Sequence, residues 1–455
     1  MASVSFFTVV IQSRRMFTGN RRRSENVERK HQDRVVIVGS GGREHALAWK
    51  LRQSKHVRDI ICIPGNAGIA DVAACEALDI GKLPELVARI VALRPQLVVV
   101  GPEKPLVDGI VDLLASFDIP VFGPSKAAAQ IEGSKAWSKR LMERAGVPTA
   151  TFLVTDDMKK AEDYIEQAMG QLVVKADGLC GGKGVIVCKT RDEALAAAHA
   201  ILVLRIHGEQ GARIVIEDRL FGREVSVMAL VDGERILLLP TAQDYKRRED
   251  GDLGAMTGGM GCMSPSPFVT PELLAQIRET VLAPVVRTMA EEGTPFCGLL
   301  YAGLMLTESG PMVLEFNARF GDPETQVVLP RIEQDLYELL WLAAKGNLSS
   351  ISHEIPVTKQ TAVCVVQCAD TYPDKGSKDR VIDGLEKAAT VPGVTVFHAG
   401  TSRAPHGSFV TNGGRVLGTM AMGDSPAHAR RRAYGAVACI YWPGEAHRTD
   451  IAFGL

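Results

Sequence analysis

Short runs of branched apolar residues recur through the first third of this chain, each closed by a glycine-rich turn and followed by a segment with helical spacing. Val35-Val36-Ile37-Val38 leads into Gly39-Ser40-Gly41-Gly42 and a helical stretch from Arg43 to Leu51. Ile60 to Ile63 leads into Pro64-Gly65-Asn66-Ala67-Gly68, and Leu97 to Val100 into Gly101-Pro102-Glu103. A strand without a polar face must be covered on both sides, which an open parallel sheet flanked by helices achieves. The pattern predicts such an α/β sheet for residues 34–133, with Leu83 to Leu93 among its helices.

Ser134 is placed to cap a helix carrying Trp137, Leu141 and Ala145 on one face and closed by Gly146 and Pro148. Strands at Leu172 to Ala176, Val185 to Val187, Ile214 to Glu217 and Val225 to Val231 surround a glycine-rich loop at 178–184 and predict a small mobile lid over residues 165–231. The lid belongs to a second domain, 134–348. That domain adds strands Ile236 to Leu239, Gly303 to Leu306 and Met312 to Phe316, with helices at 271–291 and 331–345. Strands Ala362 to Gln367, Thr395 to His398 and Arg415 to Met420 predict a compact α+β domain over 349–455.

With 455 residues and 46% hydrophobic content, the chain can furnish a core for each of about three domains. The formal charge of -1 leaves no whole-molecule basic field, so neither nucleic acid nor a membrane surface is an expected partner. The apolar run Phe6 to Ile11 falls far short of the roughly 18 residues of a spanning helix. Nine cysteines without CxxC spacing indicate reduced thiols in an intracellular compartment, with Cys364 and Cys368 on one face of a strand. Residues 1–33 are basic and free of acids up to Ser24, which suits either an organellar transit peptide or a disordered extension. The cytosol is the expected location, or a mitochondrion or plastid if that segment acts as a targeting signal.

The first glycine turn fails the dinucleotide fingerprint G-x-G-x-x-G, because Glu44 stands where the third glycine belongs. What remains is a strand-to-helix turn, Gly41-Gly42-Arg43, whose N-H groups suit a phosphate or other anion. Lys175-Ala176-Asp177-Gly178-Leu179-Cys180-Gly181-Gly182-Lys183-Gly184 joins two strands and is not a P-loop. Its four glycines allow the backbone to fold over a polyphosphate, with Lys175 and Lys183 supplying charge. The turn from Glu217 to Glu224 can receive an adenine on backbone groups and ribose hydroxyls on a carboxylate. In Val313-Leu314-Glu315-Phe316-Asn317 the strand period puts Leu314 and Phe316 toward the core. Glu315 and Asn317 then face the other side, about 7 Å apart, able to share one Mg²⁺ with nucleotide phosphates. Arg319, just beyond, can clamp a carboxylate or a transferring phosphoryl group.

These elements, together with Glu132-Gly-Ser-Lys135, Gln243-Asp244, Lys246-Arg247, Thr257-Gly-Gly-Met-Gly261, Arg319-Phe-Gly-Asp-Pro-Glu-Thr-Gln326, His398-Ala-Gly-Thr401 and Thr411-Asn-Gly-Gly-Arg-Val-Leu417, resemble the phosphoribosylamine-glycine ligase family of the ATP-grasp superfamily. The resemblance runs from about residue 34 to 450. It implies an N-terminal parallel sheet, an ATP-grasp domain and a small C-terminal domain, and the joining of glycine to 5-phosphoribosylamine through glycyl phosphate in purine biosynthesis. ATP is the implied co-substrate, with Mg²⁺ or Mn²⁺ on Glu315 and Asn317. Implied ATP contacts are Lys135, Lys175, Gly178, Gly181, Gly182, Lys183, Gly184, Glu217, Leu220 and Glu224, the last toward ribose. The implied substrate face is Gly41, Gly42, Arg43, Glu44, Asn66, Glu103, Lys246, Arg247, Gly258, Gly259, Asp322 and Thr325, with Arg319, Lys175 and Asp244 in catalysis. Implied partners are the small-molecule substrates and transient contacts with neighbouring purine enzymes.

The chain departs from the family where G-P-N-T-G-G-M-G becomes Gly254-Ala255-Met256-Thr257, losing a proline and an asparagine. Cys180 and Gly181 replace two alanines, Arg223 replaces an acid, and the segment Tyr372-Pro373-Asp374-Lys375 is altered. A non-catalytic scaffold or nucleotide sensor is the alternative, favoured only if the changed 254–256 segment has disabled substrate binding. A carboxylase or another ligase of the superfamily is a further alternative, against which the C-terminal motifs speak.

Overall fold

The computed structural model describes residues 33–351 and 354–455, so the transit-like extension expected at the N-terminus lies outside the described residues up to residue 32. No helix among the described residues is long and apolar enough to cross a membrane.

Strands β1 (Asp33–Gly39), β2 (Val57–Pro64), β3 (Ala74–Cys75), β4 (Leu97–Val100) and β5 (Val121–Phe122) form a parallel sheet in the order β3-β2-β1-β4-β5. The run at 35–38 is apolar throughout because both faces are covered. Val35 and Ile37 pack with Leu47 and Leu51 of α1 (Gly42–Leu51), while Val36 and Val38 pack with Leu86 and Ile90 of α2 (Leu83–Leu93). All four strand residues are fully buried, each worth about 1.5–3 kcal/mol over an exposed position. The strand order reverses between β1 and β4, where open α/β sheets place their ligand crevice. Here the Glu44 side chain fills that crevice. A Cβ on Gly39 would lie 2.6 Å from Glu44 Cδ, and one on Gly101 1.8 Å from its Oε1.

The lid sheet runs β6-β9-β7-β8, from β6 (Phe152–Thr155), β7 (Leu172–Ala176), β8 (Val185–Cys188) and β9 (Ile214–Asp218). The expectation that Val225 to Val231 belongs to the lid is corrected. It lies in β10 (Arg223–Asp232), which pairs with β11 (Arg235–Leu238) and, along its whole length, with β16 (Cys297–Thr307). The reason is burial on both faces: Met228 and Leu230 enter one core, Val225, Val227, Ala229 and Val231 another. The four- and five-residue lid strands cover only one core of their own.

The simple alternation expected at Leu314 is also corrected. In β17 (Gly310–Asn317) the register slips opposite Gly303 and Leu304. Val313 and Phe316 therefore enter the core and Leu314 is left half-buried. The helix expected at 331–345 begins at Leu336, because Asp335 caps it by accepting the N-H groups of Tyr337 and Glu338. Ser134 caps its helix, Lys135–Arg144, as expected, accepting from Trp137 N-H.

Between β11 and β16 lie β12 (Gln243–Asp244), the hairpin β13 (Arg247–Glu249) and β14 (Leu253–Met256), and β15 (Gly261–Ser264). β12 and β15 join the C-terminal sheet through β18 (Thr361–Ala369), so residues far apart in sequence share one sheet with Arg415–Gly423 and Val394–His398. Cys364 and Cys368 are free thiols buried in β18.

Alanine at Gly101 would drive a methyl group into the buried Glu44 carboxylate. Thermal unfolding is expected to show a loss of about 1–3 kcal/mol for Gly101→Ala. An unchanged melting temperature would mean that Glu44 yields and does not hold the crevice.

Candidate active site

The turn after β1 is built around Glu44. Its Oε2 accepts the Gly41 N-H at 2.5 Å, and its Oε1 accepts from Arg43 Nε at 2.6 Å. Arg43 also donates from Nη1 to the Phe320 carbonyl at 3.1 Å, so its side chain points inward and is 8% exposed. Asp322 Oδ2 stands 3.5 Å from the Arg43 N-H. The turn expected to be an anion cradle thus faces two carboxylates, and its first donor is already taken. Asn66 donates to the carbonyls of Ser40 and His398 and accepts the N-H groups of Gly68 and Ile69. Thr325 is fully buried and donates to the Gly321 carbonyl, and Arg247 spends its guanidinium on the Gly254 carbonyl. Glu44, Asn66, Thr325 and Arg247, expected on the substrate face, are tied by these hydrogen bonds into the surrounding loops.

Charged side chains gather beyond β17. Arg319 Nη2 lies 2.9 Å from Glu132 Oε1 and its Nε 3.6 Å from Glu103 Oε2; that Nε is buried without a hydrogen-bond partner. Burial alone would raise the Glu103 carboxyl, but Arg319 and Arg43 outweigh it and hold it below its ordinary value. Arg415, brought in by the C-terminal sheet, donates to the carbonyls of Gly258 and Asp322 and lies 3.5 Å from Asp322 Oδ2. Gly259 adopts φ +113°, and a Cβ there would sit 2.5 Å from Pro323 Cδ and 2.7 Å from Asp244 Oδ1, so this position requires glycine. Asp244 Oδ1 is buried without a partner. Burial first, then the nearby Glu324, push the Asp244 carboxyl well above its usual range.

Glu217 is gripped between two lysines, with Lys175 Nζ 2.5 Å from Oε1 and Lys139 Nζ 2.5 Å from Oε2. Burial pushes Lys139 down to about 8 against the pull of Glu217. The base of the glycine-rich loop is tied to the N-terminus of the helix Lys135–Arg144. Asp177 Oδ1 accepts from Ser134 Oγ and Ala136 N, and Lys135 Nζ donates to the Gly178 carbonyl. Gly181 and Gly182 adopt φ +56° and +78° over open space, Lys183 is exposed, and Gly184 closes the loop. Leu220 sits half-buried in the turn between β9 and β10.

Lys246 lies between two carboxylates. Its Nζ lies 3.4 Å from Glu224 Oε2 and 3.7 Å from Glu315 Oε1, and together with Asp244, Ser226, Tyr301 and Leu314 it lines one small enclosed cavity. The Glu315 side chain stays 38% exposed. Burial would raise its carboxyl, but Lys246, Lys175, Lys135 and Arg319 bring it below its ordinary value. Among the described residues no three His, Cys, Asp or Glu side chains gather to enclose a metal. A cation on Glu315 and Asn317 would therefore complete its shell with other oxygens, as the phosphates of a nucleotide provide. A roomier groove of about 490 Å³ lies elsewhere, between Trp49 and Met422, and none of the expected site residues lines it.

Sequence reasoning missed Glu132, Lys139, Asp177, Tyr301, Glu324 and Arg415. Glu132, Asp177, Glu324 and Arg415 stand inside the quoted motifs, where their position was the available signal, and Tyr301 stands two residues before the expected strand Gly303 to Leu306. Lys139 carried none.

His45 and His398 lie where α1 meets the C-terminal sheet. His398 N-H donates to His45 Nδ1 at 2.8 Å, and His398 Nδ1 pairs with Thr401 Oγ1 at 3.1 Å. Burial and the neighbouring His398 push His45 down to about 3; burial and Arg403 push His398 down to about 4.

Family models cover most of the described chain: the phosphoribosylglycinamide synthetase N domain over residues 33–132, its ATP-grasp (A) domain over 133–325 and its C domain over 362–454. The phosphoribosylamine–glycine ligase of Rhodopirellula baltica is 46% identical over 424 residues, 92% of this chain and 97% of that protein. The crystal structure of the phosphoribosylamine–glycine ligase from Thermotoga maritima superposes with a TM-score of 0.80 at 32% identity, covering 92% of this chain and all of that one. The biotin carboxylase domain of the Hydrogenobacter thermophilus 2-oxoglutarate carboxylase shares the fold at 17% identity and TM-score 0.71, over 91% of this chain and 92% of that one.

Both buried imidazoles are neutral in the fold and protonate readily once the chain unfolds. Their support is complete above pH 6.5 and is lost as the pH falls through about 4. Denaturant melts at pH 7 and pH 5 are expected to differ by about 2 kcal/mol for each histidine, with His398→Gln flattening the decline.

Proposed function

The chain belongs to the phosphoribosylglycinamide synthetase family and ligates glycine to phosphoribosylamine with ATP; on that premise we propose which of its residues carry the reaction. The observation that supports this assignment is the meeting of two stretches distant in sequence, Asp244 to Lys246 and Glu315 to Arg319, with Lys246 Nζ 3.7 Å from Glu315 Oε1. The three parts divide the labour: residues 34–133 and 349–455 frame the acceptor side, and 134–348 holds the nucleotide.

Lys135, Lys175 and the glycine-rich loop receive the polyphosphate, while Glu217 and Leu220 meet the adenine and Glu224 the ribose. The oxygen donors Glu315 and Asn317 fit a hard divalent cation, Mg²⁺ or Mn²⁺, which when bound neutralises charge on the phosphate oxygens. Arg319, held from behind by Glu132 and Glu103, presents its guanidinium to the glycine carboxylate as that group attacks the γ-phosphate, displaces ADP by breaking the β–γ P–O bond and becomes glycyl phosphate. Lys246 compensates charge on both sides of the transfer. The amine of phosphoribosylamine then attacks the acyl carbon and gives up a proton, and Asp244, with one oxygen unpartnered and a raised affinity for protons, receives it. Phosphate leaves, giving glycinamide ribonucleotide. Closure of the 178–184 loop excludes water from the acyl phosphate. The reaction is placed in the cytosol, in keeping with the bacterial relatives.

Glycine-dependent ADP release, measured with each substrate omitted in turn, separates this assignment from a scaffold or sensor. Release only when both glycine and fresh phosphoribosylamine are present is the expected outcome. Glu315→Ala is expected to lower kcat about a thousandfold, and unchanged turnover would remove Glu315 as a metal ligand. Asp244→Asn, nearly isosteric, is expected to lower kcat about a hundredfold; wild-type kcat would remove Asp244 from proton transfer.

A further inference from the structure

The hairpin β13–β14 stands between Lys246 and Thr257, so both arms lead directly into the acceptor side of the cleft. It has little of its own to hold it there. Residues 249–255 are exposed, the two strands pair with a register slip between Arg247 and Glu249, and an isolated two-stranded hairpin is marginal in water. This is also the segment in which Ala255 and Met256 replace the stiffer proline and asparagine of the family pattern.

A buried arginine from the far end of the chain grips it. Arg448 is 1% exposed. Its Nη1 donates to Asp252 Oδ1 at 2.7 Å and to the Arg247 carbonyl at 3.1 Å, reaching both the tip and the first arm of the hairpin. Its Nε and Nη2 form a fork on Asp450, at 2.7 and 2.6 Å, which fixes the plane of the guanidinium. Asp450 in turn accepts the Gly251 N-H at 2.8 Å, and Thr449 N-H donates to Asp250 Oδ1 at 2.8 Å. The guanidinium lies 5.2 Å from the Tyr245 ring, one residue before Lys246. A second, simpler anchor is Arg248, which donates to the Tyr372 carbonyl at 3.0 Å.

We propose that Arg448 is a positioning residue for the acceptor substrate: by clamping Asp252 and the Arg247 carbonyl from the C-terminal domain, it fixes the hairpin and with it Lys246 and the Thr257-Gly258-Gly259 turn. Arg448 touches no substrate and acts through the loop. The inference rests on the assignment of the Asp244 to Gly259 region to the phosphoribosylamine side. A bidentate, buried guanidinium suits the task, because its five donors sit in a rigid plane that a lysine cannot reproduce.

The test uses the full chain with Arg448→Met, which keeps the length and apolar stem, and Asp252→Asn, whose side chain is largely exposed. Initial rates of ADP formation, melting temperature and timed trypsin cleavage after Arg247 and Arg248 are compared with wild type. Arg448→Met is expected to raise KM for phosphoribosylamine about tenfold or more with KM for ATP unchanged, and to speed tryptic cleavage. Asp252→Asn shifts both in the same direction by less, and added guanidinium ion partly restores an Arg448→Ala variant. A folded Arg448→Met chain with wild-type KM and cleavage, or one that loses melting temperature alone, overturns the proposal. If Arg448→Met fails to fold, wild-type behaviour of Asp252→Asn overturns it. Absence of glycine-dependent ADP release in the wild-type chain would overturn the ligase assignment instead, and the trypsin comparison would still decide whether the clamp holds the hairpin.

Discussion

The structure depends on one electrostatic constraint: charge taken out of water must be paired, and here the members of the pairs come from segments distant in sequence. Arg319 follows β17, and its acids come from Glu132 and from Glu103 of the N-terminal sheet. Arg415 comes from the C-terminal sheet and meets Asp322. Lys246 sits between Glu224 and Glu315, and Glu217 between Lys139 and Lys175. Removing one partner of such a set strands a buried charge, whereas an apolar replacement of the whole set often costs nothing. The ionic lattice is therefore poor as glue and useful as a jig: it forces the parts to meet in one arrangement, with an unpartnered Arg319 Nε and Asp244 Oδ1 left over inside the cleft.

Close backbone approach is the second device. Glu44 occupies space that Cβ atoms on Gly39 and Gly101 would claim, and the His398 ring lies 2.3 Å from where a Cβ on Gly68 would be. Asn66 ties the Ser40 and His398 carbonyls together, and Phe397 stacks edge-on against both His45 and Trp49. The N-terminal turn is thus fastened to the C-terminal sheet through glycines that leave room for polar side chains. The same logic operates at Gly259, which lets Asp244 and Pro323 pass each other. The fold is shared with a biotin carboxylase domain over 91% of this chain, so the sheet order alone does not distinguish the two proteins.

The amino-acid sequence by itself determined the local elements and much of the chemistry. Val35 to Val38 announced a strand buried on both faces because no polar residue interrupts it. The Ser134 cap marked the start of its helix because its side chain competes for the first free N-H groups. Glu315, Asn317, Arg319 and the loop at 178–184 raised the expectation of a polyphosphate and metal site through residue type and spacing. Tertiary structure decided what local pattern cannot encode. The register slip that turns Leu314 out of the core depends on how β16 lies against β17. The place of β10 outside the lid depends on which cores lie on its two sides. The hydrogen bonds that tie Asn66 into its surroundings depend in part on the His398 carbonyl, 332 residues away. Arg448 meets Asp252 across 196 residues. Periodicity and propensity are short-range properties of a chain, whereas the pairing of buried charges is settled only when distant segments are desolvated together, and so these assignments waited for the folded molecule.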